Sequence, residues 1–358
     1  MKRFTLALVG GVSLAACADT PTDPGNAAAC SAETRLAPST SLAAAPARSR
    51  LLESPRTVIV IPIKGVAITN DAVVAGTDES GAATWSKSTG VRRLTGLTTV
   101  GDYSPAGQAV GTTPAKLARR DTDGTMAEIG DSPATLGYGI NSLGWVVGQH
   151  RGRAFFWTTC FGLKPLHQPT IDPQQGSASS VAVDINTRGD VLGHTDLTPR
   201  ANPNLVRVVA TVWKAWSDEW VEIEPIDYHH GTQGSAINDR GAVAGTQGNW
   251  GSRGPPERLP FFWTAEGGVV AIPVPAGTRF GGASDINNLD EVVGSTRDTI
   301  NNQFHAWVWR KETGTERLPE MGQASSTAIA INDWGDIVGT VGNQPVVWTW
   351  PENAHRWR

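Results

Sequence analysis

The chain has 358 residues, with 30 Lys and Arg against 34 Asp and Glu and a formal net charge of -4; no basic stripe is present, which argues against nucleic acid as a partner. Its 40 glycines and 23 prolines, beside 39% hydrophobic residues, describe a turn-rich all-β protein rather than a helical one. Past residue 20 no apolar stretch is long enough to form a transmembrane helix.

At the N-terminus, Lys2 and Arg3 precede a short apolar run over 4–13, and Leu14-Ala15-Ala16-Cys17 reads as a lipobox. A run this short cannot span a bilayer, so 1–16 is expected to be a cleaved signal and Cys17 an acylated mature N-terminus. An ordinary signal peptide with an incidental Cys is the alternative. Ala18 rather than Asp follows the Cys, which favours the outer membrane, so the expected location is the bacterial cell envelope, with the protein facing periplasm or exterior. Lipid would be its sole hold on the membrane. Residues 17–55, dominated by Ala, Pro, Ser and Thr without apolar periodicity, read as a flexible tether. Cys30 lies in it and Cys160 far downstream. A disulfide between them would pin the tether in an oxidising compartment, and unpaired or otherwise paired thiols fit equally.

From residue 56 onward the chain is repetitive. A nine-residue phrase ends at Gly76, Gly111, Gly148, Gly193, Gly245, Gly294 and Gly339, and eight positions earlier stand Ile68, Tyr103, Ile140, Ile185, Ile237, Ile286 and Ile331. Next come Thr69, Ser104, Asn141, Asn186, Asn238, Asn287 and Asn332, mostly followed three residues later by Gly. That pattern marks a type I turn, so each phrase is a hairpin. The two residues before the closing Gly are apolar in every copy, which suits a strand buried on both faces. Downstream, a second phrase ends at Trp85, Trp157, Trp213, Trp263, Trp309 and Trp348, with Arg119 taken as the break in the second copy. Turn residues and a short fourth segment follow, for example 91–94 and 269–272.

Four strands per unit and glycine spacings of 35, 37, 45, 52, 49 and 45 predict a seven-bladed β-propeller of four-stranded antiparallel blades over 56–358. An open solenoid is the competing architecture. The segment 58–61 is expected to complete the last blade, with 355–357 as the other way to close it. The Trp series is expected between blades, as packing.

The two phrases resemble the HAF repeats of bacterial extracellular proteins, with an Ala-Ile-Asn-Asp-x-Gly-x-Val-Val-Gly stretch and then Ala-Phe-x-Trp; 236–245, 330–339 and 154–157 carry the likeness most closely. The resemblance covers roughly 57–350. It implies an extracellular location and a repeat architecture, and it transfers no catalytic residues.

Signatures of chemistry are sparse: no Gly-x-Ser-x-Gly, His-Glu-x-x-His or Cys-x-x-Cys pattern occurs. Asp121, Asp123 and Gly124 begin like a calcium loop, yet the later acidic ligands are missing, so a solvated turn is expected. The adjacent His229 and His230 would point to opposite faces of a strand. Neither a metal nor a cofactor is expected, and the recurring Asn and Asp are read as turn formers.

Loop length carries the remaining signal. From the closing Gly to the Trp position the spacing is 9, 8, 9, 20, 18, 15 and 9, so insertions concentrate in blades 4 to 6, and the links 166–180, 224–234 and 273–282 lengthen on the same face. This sector offers Asp227, Tyr228, His229, His230, Trp250, Arg253, Arg258, Arg279, Phe280, Arg297 and His305 as ligand-binding candidates. Trp250 stands out, in a Gly- and Pro-rich run outside every phrase. Carboxylates are few there, namely Asp227, Glu257 and Asp298. The sequence therefore favours a monomeric binding module for a protein or glycan over a hydrolase or lyase acting on polysaccharide, which would need a convergent acid and base.

Overall fold

In the computed structural model, which describes residues 56–167, 176–199, 207–217, 219–226, 231–248, 258–275 and 277–357, each phrase folds as a hairpin. In the last copy, Gly335 N–H donates to Asn332 O and Asn332 N–H to Asp336 O, with Gly335 at a left-handed φ of 71°. The apolar pairs are sealed on both sides: Val146, Val147, Val292, Val293, Ile337 and Val338 are 0% exposed. The closing glycine answers a steric demand. A Cβ on Gly76, Gly148 or Gly193 would stand 1.9 Å from a carbonyl oxygen of the first strand, where a bulge shifts the register.

The strands form seven four-stranded antiparallel blades, and the chain is an all-β propeller. Blade 1 lies within 64–93, blade 2 within 102–129, blade 3 within 135–165 and blade 4 within 176–223. Blade 5 spans 231–271, blade 6 spans 278–317 and blade 7 spans 326–349. A single parallel bridge, Arg258 to Phe280, ties blades 5 and 6 into one eight-stranded sheet. An apolar cluster fills every junction from blades 1–2 round to blades 7–1, where Ile63 and Val74 meet Val338 and Val347. A junction between the last and first blades makes the ring closed, and the open solenoid is excluded. Trp157, Trp213, Trp263, Trp309 and Trp348 sit in these junctions at 0–8% exposure, as the sequence predicts.

Closure uses the N-terminal strand. Thr57–Val60 pairs with Gln344–Thr349 as the outer strand of blade 7. The other candidate segment does something else: Pro351–Arg356 is a 3-10 helix, and the buried Trp357 behind it stacks on Trp85 at 6.0 Å.

One register needs correcting. In the other blades the Trp pairs with the residue two before the closing Gly, as in Val74 with Trp85; in blade 2 that residue is Ala109, and its partner is Arg120. Arg120, nine residues after Gly111, is thus the counterpart of the Trp. Arg119 points the other way, into blade 3, where it donates to Gly144 O at 2.9 Å and lies 5.1 Å over the Trp157 ring. A guanidinium can hold this place because the Trp ring and a carbonyl share it.

Candidate ligand pocket and the two faces of the ring

Strand order gives the ring two unlike faces. The first-to-second and third-to-fourth turns of every blade emerge on one face, and the second-to-third hairpins and inter-blade links on the other.

On the turn face the phrase asparagines do more than form turns. In each, Oδ1 caps its own turn, as Asn238 Oδ1 accepts from Arg240 N and Ala242 N at 3.0 Å. The amide nitrogen reaches the next blade: Asn141 donates to Asn186 O, Asn186 to Asn238 O, Asn238 to Asn287 O, Asn287 to Asn332 O and Asn332 to Thr69 O, at 3.0–3.1 Å. The series stops at Thr69 and Ser104, which have no amide. A second series runs beside it, with Asp239 accepting from Thr187 N, Asn288 from Asp239 N, Asp333 from Asn288 N and Asn70 from Asp333 N. Between them opens a cavity of about 170 Å³ at the mouth of the central channel.

Deeper in the channel, alternate blades place a carboxylate just before the phrase. Blades 2, 4 and 6 carry Asp102, Asp184 and Asp285, where blades 1, 3, 5 and 7 have Ala67, Gly139, Ala236 and Ala330. Each carboxylate accepts the N–H of the next residue at 2.7 Å and that of an Ile one blade on, Ile140, Ile237 or Ile331, at 2.8–2.9 Å. Burial pushes Asp102 up to about 6, Asp184 to about 7 and Asp285 to about 8; the N–H donors oppose this, and the other channel carboxylates reinforce it for Asp184 and Asp285. With every oxygen taken, these groups join blades. Among the described residues no group of His, Cys, Asp and Glu could hold a metal ion.

On the loop face, where blades 5 and 6 meet, lies a pocket of about 590 Å³. Blade 5 contributes Thr246 and Arg258, the first strand of blade 6 contributes Phe280, Gly281, Gly282, Ala283 and Ser284, and its next strands add Ser295, Arg297 and Phe304. Alternation along the strands explains the lining: Arg297 and Phe304 are a cross-strand pair on one side of blade 6, with the guanidinium 5.9 Å from the ring. Phe304 is 41% exposed, and the buried Nε of Arg297 has no hydrogen-bond partner. The described lining contains two guanidiniums, two phenyl rings and no carboxylate.

Three sequence candidates, Arg258, Phe280 and Arg297, thus meet in one place. His305, the neighbour of Phe304, faces the other side of the blade, 7% exposed, with Nε2 3.0 Å from Asp298 and Nδ1 2.6 Å from Glu320. It braces the link to blade 7, and its hydrogen bond is the main cause that lowers Asp298 to about 2. Asp227, Tyr228, His229, His230, Trp250 and Arg253 lie outside the described residues, as does the side chain of Arg279. Phe304 was missed; its alternation with His305 opposite Arg297 was the available signal. The Asp121–Gly124 segment is a turn, with Gly124 N–H donating to Asp121 O. Cys160, in a turn-face turn of blade 3, is disulfide-bonded, and Cys17 and Cys30 are both outside the described residues.

No family model matches the chain and no curated protein matches its sequence. Solved structures do resemble it. Oligogalacturonate lyase in complex with manganese aligns over 84% of this chain and 92% of its own at 12% identity, with a TM-score of 0.54. The Swd1 (Cps50) β-propeller domain of Myceliophteria thermophila aligns over 82% and 100% at 12% identity, with a TM-score of 0.51. The tricorn protease aligns over 85% of this chain and 37% of its own at 11% identity, with a TM-score of 0.50. At such identities the likeness is one of fold, and this fold serves enzymes and binding domains alike.

Proposed function

We propose that this chain is an extracytoplasmic propeller of the HAF-repeat type, held at a bacterial membrane by acylated Cys17 and acting as a binding module. Its partner, a glycan or a protein, engages the pocket between blades 5 and 6. The observation that carries this reading is the lining itself, where the exposed Arg258 and the 41%-exposed Phe304 ring, beside the half-buried Phe280 and Arg297, are groups suited to recognition. A hydrolase or lyase acting on polysaccharide would need a positioned acid and base, and no carboxylate stands among the described lining residues.

The path of the chain supports the anchoring. Arg56 donates to the carbonyl of Gly335, in a turn-face turn, so residues 1–55 join the ring on the turn face. The disulfide at Cys160 lies on that same face. An anchor at Cys17 would therefore reach the ring on its turn face, the side opposite the pocket. Among the described residues no helix is long and apolar enough to cross a membrane.

Fractionation of cells expressing the chain and its Cys17→Ser variant tests the anchor: the unaltered chain should sediment with membranes and the variant should not. Equal distribution of the two would remove it. Glycan-array screening of the Cys17→Ser chain, with paired degradation assays on any glycan bound, separates a binding module from an enzyme.

A further inference from the structure

We infer that the exposed aromatic cap at the turn-face end of the blade 3–4 junction is the seat of this chain's own N-terminal segment, with the residues around Cys30 laid on Trp216 and Phe161 and Cys30 joined to Cys160. The inference rests on the acylated Cys17 proposed above and deepens it, because it fixes where and how closely the anchor holds the ring.

Two turns depart from the rest. Between their third and fourth strands, blades 1, 2, 5 and 6 place small or charged residues, among them Ser88, Thr89, Asp123, Glu266 and Glu312. Blade 3 places Phe161 there and blade 4 places Trp216, 38% and 52% exposed. Phe161 N–H donates to Thr158 Oγ1 and Ser217 N–H to Lys214 O, so both turns are fixed. The Trp216 indole stands edge-on to Phe161 at 5.4 Å and to the buried Trp145 and Phe156 at 5.3 and 4.8 Å, which makes one aromatic surface open on its outer side. Exposed aromatics in mutual contact, unlike single ones, mark an interaction surface.

The occupant follows from Cys160, the residue before Phe161. Its sulfur is in a disulfide, and of the three cysteines in the chain acylation takes Cys17, so the partner is Cys30. A crosslink beside Phe161 delivers the residues around Cys30 to the cap, whatever their path elsewhere. They suit it: Ala27, Ala28, Ala29 and Ala32 flank the cysteine with small side chains that let a backbone lie flat against an indole, whose large apolar area rewards the cover. At the other end Arg56 is fixed to Gly335 O in blade 7. The 25 residues 31–55 between them can extend at most about 90 Å, against roughly 15 Å for the width of a four-stranded blade, so a chain tied at both ends spans the distance. The consequence is reach. Arg56 stands 39 residues after Cys17 and Cys30 stands 13 after it, so the disulfide shortens the longest tether from lipid to ring from roughly 130 Å to roughly 45 Å. The ring is then held by blade 3.

Non-reducing peptide mapping of the chain extracted from membranes tests the pairing: expected are a peptide joining Cys30 to Cys160 and an acylated Cys17. Cys17 inside the crosslink overturns the anchor along with this inference, and Cys160 as a free thiol overturns this inference alone. Hydroxyl-radical footprinting of the Cys17→Ser chain tests the seat. Oxidation of Trp216 and Phe161 should rise severalfold when Cys30→Ser is added, while Phe304, 41% exposed on the loop face, stays as it was. Equal oxidation in the two chains overturns the seat. Protection that appears only with anionic phospholipid vesicles makes the membrane the occupant, and protection that grows with protein concentration makes it a second copy; each overturns the inference. Trp216→Ser should in turn speed reduction of the disulfide by dithiothreitol roughly tenfold, because exchange depends on access to the sulfur. Phe161→Ser serves the same test should Trp216→Ser fail to fold, and an unchanged rate overturns the seat.

Discussion

The turn face and the loop face are made by the same strands, yet they follow opposite rules. On the turn face each blade from the second to the seventh depends on the next: an amide of blade 5 satisfies a carbonyl of blade 6, and a carboxylate of blade 6 satisfies an N–H of blade 7. A substitution in one copy leaves a buried group unpaired in another, so the copies stay alike. On the loop face bonds between blades are sporadic, as where Ser180 N–H donates to Gly152 O or Arg258 pairs with Phe280, and three blades lengthen the hairpins between second and third strands. Repetition sits where the ring closes on itself, and variation where it meets something else.

The sharpest way to break the closed ring is at its seam. A chain starting at Arg56 should fold, whereas one starting at Lys64 loses the outer strand of blade 7 together with Ile61 and Ile63, which are 3% and 1% exposed. The difference should be roughly 5 kcal/mol or more, read as loss of a cooperative thermal transition. If the shorter chain melts like the longer one, the strand Thr57–Val60 does not hold the ring. Both chains lack the N-terminal cysteines, so the comparison is free of the disulfide.

A smaller effect is expected from the turn-face series. Asn238→Ala removes the cap on its own turn and leaves Asn287 O without its donor. Two such losses in buried surroundings should cost about 2–4 kcal/mol of unfolding free energy in urea titration. Thr69→Ala, at the end of the series where no amide crosses to blade 2, should cost clearly less. Equal costs would mean that the inter-blade bond contributes nothing beyond the turn.

The channel carboxylates give the turn side a pH signature that the loop face lacks. Asp102, Asp184 and Asp285 are held at about 6, 7 and 8 against an ordinary 3.8, and the groups that act on them across the channel, each other and Asp239, are acidic too. The folded protein thus binds protons that the unfolded chain releases. Stability from these groups is complete below about pH 4 and is lost as the pH rises through 6 to 8. Lowered groups such as Asp298, at about 2, act only in stronger acid. The melting temperature should fall between pH 6 and pH 9, and Asp285→Asn, although less stable throughout, should flatten the upper part of that fall. A wild-type profile flat over this range, or rising, would show that the three groups are ionised at neutral pH.

The ring was legible because its signals are local and repeated: a turn needing Asn and Gly, a strand needing two apolar residues, a Trp at fixed distance. Even the seam at 58–61 followed, since the last blade lacked a fourth strand. Counting residues failed in blade 2, where Arg119 and Arg120 are both long and cationic and only the pairing of Ala109 with Arg120 tells which one faces which junction. The Asn series was invisible because its second partner lies about one blade away in sequence, and a turn alone accounts for the residue. The pocket was half legible. Loop length led to Arg258, Phe280 and Arg297, but placing His305 beside them ignored the period of two that sends adjacent strand residues to opposite faces.

The smallest expected effect concerns that pocket and bears on the contrast directly. If the loop face is free of structural duty, Arg258→Gln should change the unfolding free energy by no more than about 1 kcal/mol, the loss expected of one exposed side-chain interaction. Phe304→Ala should cost little more, because the ring is 41% exposed and Arg297 is its cross-strand neighbour rather than a core residue. Arg258 is the more searching site, since its backbone pairs with Phe280 of blade 6, and its side chain can change without touching that pairing. A loss of 2 kcal/mol or more at Arg258, an amount expected of a lost buried partner, would mean that the guanidinium serves the blade junction. The two faces would then differ in loop length alone, and the lining would have to be counted as packing before it is counted as recognition.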